Sequence, residues 1–155
     1  MKLSTTNYYQ LSKGFTLMEI LIAIAILAIL SSISWVTLGK YQPSLALSAI
    51  SRDLVSDLRL AQQLSVAEQV NYGIFFNAPA NEYQFKKFAE ETTIVFTKQL
   101  PVGITFCDIA GLSEDTAIFN PYGSVAYSGA VCLLNSNGQN KTIEIKPSGF
   151  VKIQN

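Results

Sequence analysis

The feature that most narrows what this chain can become is a run of side chains that water does not accommodate. Residues 15–36 contain one charge, Glu19, among Ile, Leu and Ala, and neither Pro nor Gly interrupts them. At a rise of about 1.5 Å per residue such a run reaches roughly 33 Å as a helix, enough to cross a hydrocarbon core of about 30 Å. A continuous membrane-spanning helix is therefore expected. Lys2 and Lys13 precede it, whereas Lys40 and the balanced set Arg52, Asp53, Asp57 and Arg59 follow it. That bias places the N-terminus in the cytoplasm and the rest of the chain outside it. Glu19 is then the anomaly, because a charge inside a span costs roughly 2.5–3.5 kcal/mol on insertion scales and such groups usually have a task. A secretory signal with residues 20–30 as its apolar region, cut near Ser32-Ile33-Ser34, would explain the hydropathy. It would leave a long leading segment ending in an acid. A plain uncleaved anchor leaves Glu19 equally unexplained.

The remainder of the 155-residue chain suffices for one domain. Basic and acidic residues balance at 11 each, so no whole-chain electrostatic footprint for nucleic acid exists. Histidine is absent, which removes the commonest general base and the commonest transition-metal ligand. A Ser or Cys nucleophile would need a Lys or carboxylate base, and no such constellation stands out. The chain is read as a non-enzyme, with no catalytic residue, cofactor or metal expected. Glu90-Glu91 is read as a solvated edge or loop, and Lys86-Lys87 as an edge-strand guard. Tyr72, Phe75, Phe76, Tyr83, Phe85 and Phe88 alternate as core and surface positions of a hairpin; with few basic neighbours they make a poor base-stacking platform.

The segment Lys13-Gly14-Phe15-Thr16-Leu17-Met18-Glu19 resembles the cleavage and methylation motif of type IV pilins and pseudopilins. The resemblance implies a leader of residues 1–14 cut after Gly14 by a membrane prepilin peptidase, and N-methylation of the new terminus, Phe15. It also implies an assembly role for Glu19, fifth in the mature chain. A cationic amine on Phe15 of one subunit can face the Glu19 carboxylate of a neighbour, and an opposite charge at low dielectric recovers much of the desolvation cost. Glu19 then works as a register device in helix-to-helix packing. Many family members carry a proline near position 36, where this chain has Val36.

Beyond the span, Gly39 and Pro43 are expected to bend or locally unwind the helix, with Ser44 as the cap of a new one. Leu47, Ile50, Leu54, Leu58 and Ala61 then recur at spacings of three and four, an apolar stripe that must lie on something. After Gln69 the period falls to two. Strands are expected at 70–76, 82–88, 93–98, 102–107, 117–120, 124–127, 130–134, 142–146 and 150–153, separated by Pro-, Asn- and Gly-bearing turns. Nine short strands are too many for one open sheet around one helix. The fold class expected is α+β: a long N-terminal helix, transmembrane over 15–38 and amphipathic over about 44–68, packed on a mainly antiparallel β head of two small sheets within residues 39–155.

The stretch Asp57-Leu58-Arg59-Leu60-Ala61-Gln62-Gln63-Leu64-Ser65-Val66-Ala67, the turn Phe119-Asn120-Pro121-Tyr122-Gly123 and the closing Ile143-Glu144-Ile145 to Gly149-Phe150-Val151 are similar to phrases of the GspH/FimT-like minor pilins. A minor subunit is implied, because the long glycine-rich, calcium-binding end of major pseudopilins is missing. The implied role is a subunit of a short filament in a type II secretion system, with a type IV or DNA-uptake pilus as the alternative and a membrane-anchored binding module as a third reading. Implied partners are other pilins through the N-terminal helix, the prepilin peptidase and membrane lipid. Localisation would be the inner membrane, single-pass, with an extracytoplasmic head. There disulfides persist, so Cys107 and Cys132 are either bridged or packed as separate thiols. Loss of Lys2 and Lys13 with the leader turns the side-chain balance to −2. Specific nucleic-acid binding is not expected, and non-specific affinity should be no tighter than about 10⁻⁴ M at physiological salt.

Overall fold

The structure is a computed structural model that describes residues 14–154, and of residues 33–40 the backbone alone. The leader through Lys13, and the side chains of Val36 and Lys40, lie outside the described residues. Residues up to Leu38 form one unit and Gly39–Asn155 a second. Helix α1 is assigned over Leu17–Glu68. The expected interruption near Gly39 and Pro43 does not occur: Pro43 lies inside the helix, and Ser44 is an interior helical residue instead of a cap. An interior proline removes one hydrogen bond and crowds a carbonyl at a cost of about 3 kcal/mol. The helix persists because strongly helical sequence stands on one side of Pro43 and a packed stripe on the other. In the first unit, apolar side chains from Phe15 to Leu30 are exposed on every face of the helix. Among the described residues no helix is long and apolar enough to cross a membrane; the run expected to span continues into residues 33–36, whose side chains are not described.

Eight strands follow. β1 (Asn71–Asn77), β2 (Glu82–Phe88), β3 (Thr92–Gln99) and β5 (Thr116–Phe119) form one sheet in the order β3-β2-β1-β5. β4 (Ile104–Ala110), β6 (Gly129–Asn135), β7 (Asn140–Ile145) and β8 (Val151–Gln154) form the other, in the order β4-β6-β7-β8. Every pairing in both is antiparallel. The fold is thus α+β, with the second half of α1 packed on two antiparallel sheets. The helical stripe Leu47, Ile50, Leu54, Leu58 and Ala61 is buried, joined by Val55. It meets Tyr72, Ile74, Phe76, Tyr83, Phe85 and Phe119 from the first sheet and Val131, Leu133, Ile143 and Ile145 from the second, in a single core.

Three sequence expectations are corrected. Residues 124–127 do not form a ninth strand. The Asn120 side chain takes the backbone N–H groups of Tyr122 and Ser124, and Val125 donates to the Pro147 carbonyl, leaving one isolated bridge to Phe119. The fourth strand starts later and runs further than 102–107. Ile104 N–H closes a turn on the Pro101 carbonyl, with Gly103 at φ 86° in the third position, where a type II turn needs a residue tolerant of positive φ. Lys86 and Lys87 are not edge guards, since β2 lies between β1 and β3. The Lys86 ammonium instead sits 4.1 Å from the Phe75 ring centroid, and Lys87 reaches Glu68 at 2.6 Å.

The core holds one polar pin. Asp57, only 8% exposed, accepts from the Tyr83 hydroxyl at 2.6 Å and from the Lys98 ammonium at 2.7 Å. Three elements, α1, β2 and β3, are tied through one carboxylate. Burial pushes the Tyr83 phenol above its ordinary value, and the hydrogen bond to Asp57 adds to the shift.

Cys107 and Cys132 are joined by a disulfide with Cα atoms 5.2 Å apart. Cys107 does not end its strand but occupies a bulge in β4 between Phe106 and Asp108, beside β6. The bridge staples an edge strand whose outward residues are exposed. It closes a separation of 25 residues, which in the chain-entropy model is worth about 3 kcal/mol. Replacing both cysteines by serine should therefore lower Tm by more than 10 °C, at roughly 4 °C or more per kcal/mol for a head of this size. Calorimetry of the variant beside the wild type checks this. An unchanged Tm would show that the β4–β6 pairing alone holds the edge.

Candidate functional site

Gly14 is exposed, and a Cβ placed on it would meet nothing within 4 Å. Packing among the described residues does not ask for glycine there. Lys13, the other flank of the expected cut, lies outside the described residues. Phe15 is 79% exposed and precedes the helix. The helix begins with a cap that the sequence reading missed. Thr16 Oγ1 accepts from the Glu19 N–H at 3.2 Å, and the Thr16 carbonyl accepts from the N–H groups of Glu19 and Ile20. Thr16-Leu17-Met18-Glu19 has the spacing of a capping box, Thr at the cap and Glu three residues on. That signal was legible in the sequence but was masked by the hydropathy.

Glu19 consequently sits in the first helical turn, where the positive end of the helix dipole favours an anion. Its carboxylate is exposed and makes no ion pair or hydrogen bond among the described residues. The dipole is worth about 0.3–1 kcal/mol, well short of the roughly 2.5–3.5 kcal/mol that a charge costs inside a span. Local structure therefore accounts for where Glu19 sits, and inside a span it would leave most of that cost without compensation from the described residues.

At the other end of α1 the remaining motif residues converge. Gln62 donates from Nε2 to the Gly123 carbonyl at 2.7 Å, locking the helix to the turn at Asn120–Gly123, in which Gly123 N–H returns to the Asn120 carbonyl. Gly149, at φ 77°, lies so close that a Cβ there would overlap the Gly123 carbonyl and the Gln62 amide. Helix end, Asn-Pro-Tyr-Gly turn and Pro-Ser-Gly turn, three separate phrases in sequence, are one joint in space. Beside it, Glu68 at the helix terminus accepts from Tyr72 hydroxyl at 2.7 Å and from the Lys87 ammonium at 2.6 Å. The Lys87 hydrogen bond, then that of Tyr72, holds the Glu68 carboxyl below its ordinary value. The same hydrogen bond to Glu68 raises Lys87, and burial raises the Tyr72 phenol. Among the described residues no cluster of three or more His, Cys, Asp or Glu side chains could hold a metal ion.

Residues 10–35 match the family described as the prokaryotic N-terminal methylation motif. No curated protein matches the chain. Among solved structures, the minor pseudopilin EpsH from the type II secretion system of Vibrio cholerae aligns with TM-score 0.60 at 8% identity, over 70% of this chain and 95% of that one. The type IV minor pilin FimU of Pseudomonas aeruginosa aligns with TM-score 0.58 at 10% identity, over 70% of this chain and 88% of that one. At such identities the likeness is one of fold, and that fold is the minor pseudopilin and minor pilin head.

The Glu68 cluster generates a pH dependence. A depressed carboxyl contributes stability that is present above its ordinary value of 4.5 and is lost as pH falls through the lowered value. Raised Lys87 contributes below its ordinary 10.5 and loses that contribution above it. Tm should therefore decline in acid below about pH 4.5, and Glu68→Gln should flatten part of that decline. Glu144, depressed by the Gln154 amide and then by Lys152, supplies another part. Thermal melts of both proteins across pH 2–7 test this, and identical acid limbs would remove Glu68 from the account.

Proposed function

We infer that this chain, a GspH/FimT-like type IV pilin-like protein by its motif and its fold, is a minor filament subunit of a type II secretion system. It would be made as a precursor, cut after Gly14, methylated on Phe15 and held in the inner membrane by residues 15–36. Its N-terminus would be cytoplasmic and its head extracytoplasmic. Its work is assembly, with no catalysis. The observation that carries this reading is the pair Gly14 and Glu19. Gly14 is a glycine that packing among the described residues does not require, which fits a demand from outside, from an enzyme that must approach the backbone closely. Glu19 is a carboxylate whose cost the chain does not offset by itself, so its partner also comes from outside.

Cleavage supplies that partner chemistry. Before it, Phe15 carries an amide; after it, a cationic amine two residues ahead of the first helical turn. One subunit's amine can then meet a neighbour's Glu19 when the two helices lie side by side at one height. The all-round apolar surface of residues 15–30 packs first with lipid and then with other helices. The likeness of the head to EpsH supports the secretion filament; the comparable likeness to FimU carries the second reading, a minor pilin of a type IV pilus.

Gly14→Val is expected to leave full-length precursor in the membrane, read as intact mass, while the wild type yields a chain starting at N-methylated Phe15. Mature-size protein from the variant would sink the reading. Glu19→Val is expected to insert as well as wild type, since the substitution removes a cost of about 2.5–3.5 kcal/mol, yet to be depleted from filaments. Copurification with the other subunits at wild-type yield would refute the register role.

A further inference from the structure

The end of the head at which α1 enters is built differently from the opposite end. Three strand connections meet there: residues 78–81 between β1 and β2, 100–103 between β3 and β4, and 136–139 between β6 and β7. Backbone and side-chain bonds join the first two, with the Leu100 N–H on the Asn81 carbonyl and the Asn81 amide on the Ile104 carbonyl. Their sequences, Ala-Pro-Ala-Asn, Leu-Pro-Val-Gly and Ser-Asn-Gly-Gln, contain no charge. The connection between β2 and β3 at the far end carries Glu90 and Glu91. Val102 stands out completely, at 104% relative exposure, on a turn whose flanks Pro101 and Gly103 are also exposed. That turn and Ser136 line a cavity together with Gln42, Pro43 and Ala46 of α1. On the neighbouring helical stripe, Tyr41 and Leu45 are 62% and 69% exposed. An apolar lip of this kind on a water-facing domain calls for an occupant.

We propose that this lip, with Val102 at its tip and Tyr41 and Leu45 beside it, rests in the interfacial region of the bilayer and seats the unassembled head on the membrane surface. The proposal rests on the membrane-anchored reading above. Tether length selects lipid over other occupants. From Val36, where the span is expected to end, to Tyr41 the chain reaches roughly 18 Å at full extension and about 7.5 Å as a helix. At the helical reach Tyr41 lies at the outer margin of the headgroup layer, and interfacial positions favour an aromatic ring with a polar tip. Charge agrees. An uncharged lip meets no repulsion from anionic headgroups, and Glu82, the acid next to these tips, is engaged by the amides of Asn77, Gln84 and Gln99. Glu114 and Asp115 fall at the β5 edge of the first sheet, opposite the β3 edge that leads into the lip.

The test uses the full chain in vesicles of phosphatidylethanolamine and phosphatidylglycerol. Trp35, the only tryptophan, first reports on the anchor in the unaltered protein. The indole is then moved in a Trp35→Phe background, to the lip by Val102→Trp and to the exposed turn at the far end by Ser148→Trp. Val102 and Ser148 are both solvent-exposed, so the fold tolerates the larger ring. Expected is a blue-shifted lip indole, quenched by a headgroup nitroxide lipid and shielded from aqueous iodide, with the Ser148→Trp indole open to iodide and unquenched by lipid. A lip indole open to iodide while Trp35 is lipid-quenched overturns the seat and leaves the anchor standing. Shielding from iodide without lipid quenching means that protein covers the lip, and also overturns the proposal. If Trp35 itself is open to iodide, the anchor reading fails and takes the seat with it. Equal lipid quenching at both introduced positions would show unspecific adsorption of the head and would likewise refute it.

Discussion

One face of α1 is shared by two sheets, and that sharing holds the head together. Leu54, Leu58 and Ala61 have no exposed surface, with the Tyr83 and Phe85 layer on one side and Val131, Leu133 and Ile143 on the other. Neither four-stranded sheet has a second covering layer, so each depends on the helix to bury its inner face. At about 25 cal/mol per Å² of apolar surface, a stripe of this kind supplies far more than any single polar contact. The Asp57 pin and the Gln62 joint have a different effect. They fix how the helix is rotated and at what height it sits, because each has one partner set and one geometry.

Along the one helix the side-chain pattern changes. Up to Leu30 its side chains are apolar all round and exposed; from Leu47 onward they are apolar on one stripe. A helix with a stripe needs a sheet, and a helix without one needs lipid or other helices. Pro43 stands between these regimes. The hydrogen bond it removes falls ahead of the buried stripe that begins at Leu47, so the missing donor does not disturb the core.

Polar groups at the start of α1 divide into those paired within the chain and those without a partner among the described residues. Thr16 closes the first turn by itself. Glu19 lies in that turn at a gain from the dipole several times smaller than the cost of its charge in hydrocarbon. A carboxylate so placed favours whichever arrangement brings a cation to its level.

Residue type and spacing determined much about this protein. A run of Ile, Leu and Ala with a lone acid, the Gly-Phe-Thr-Leu-Met-Glu motif, the stripe from Leu47 to Ala61 and the switch to a period of two after Gln69 are all local patterns, and local patterns are legible without coordinates. The helix, the α+β class and most strands follow from them. Tertiary structure decided the rest, because it depends on partners distant in sequence. Pro43 remained helical since packing on one side and helical propensity on the other outweighed it. Residues 124–127 lost their strand because the Asn120 side chain took the backbone donors a ladder would need. Lys86 and Lys87 became interior-strand residues once β3 paired outside β2. Asp57, in sequence one of the balanced charges that follow the apolar run, is buried because Tyr83 and Lys98, 26 and 41 residues away, arrive at the same oxygen. A single sequence carries no record of such meetings, since they are a property of how the two sheets close around the helix.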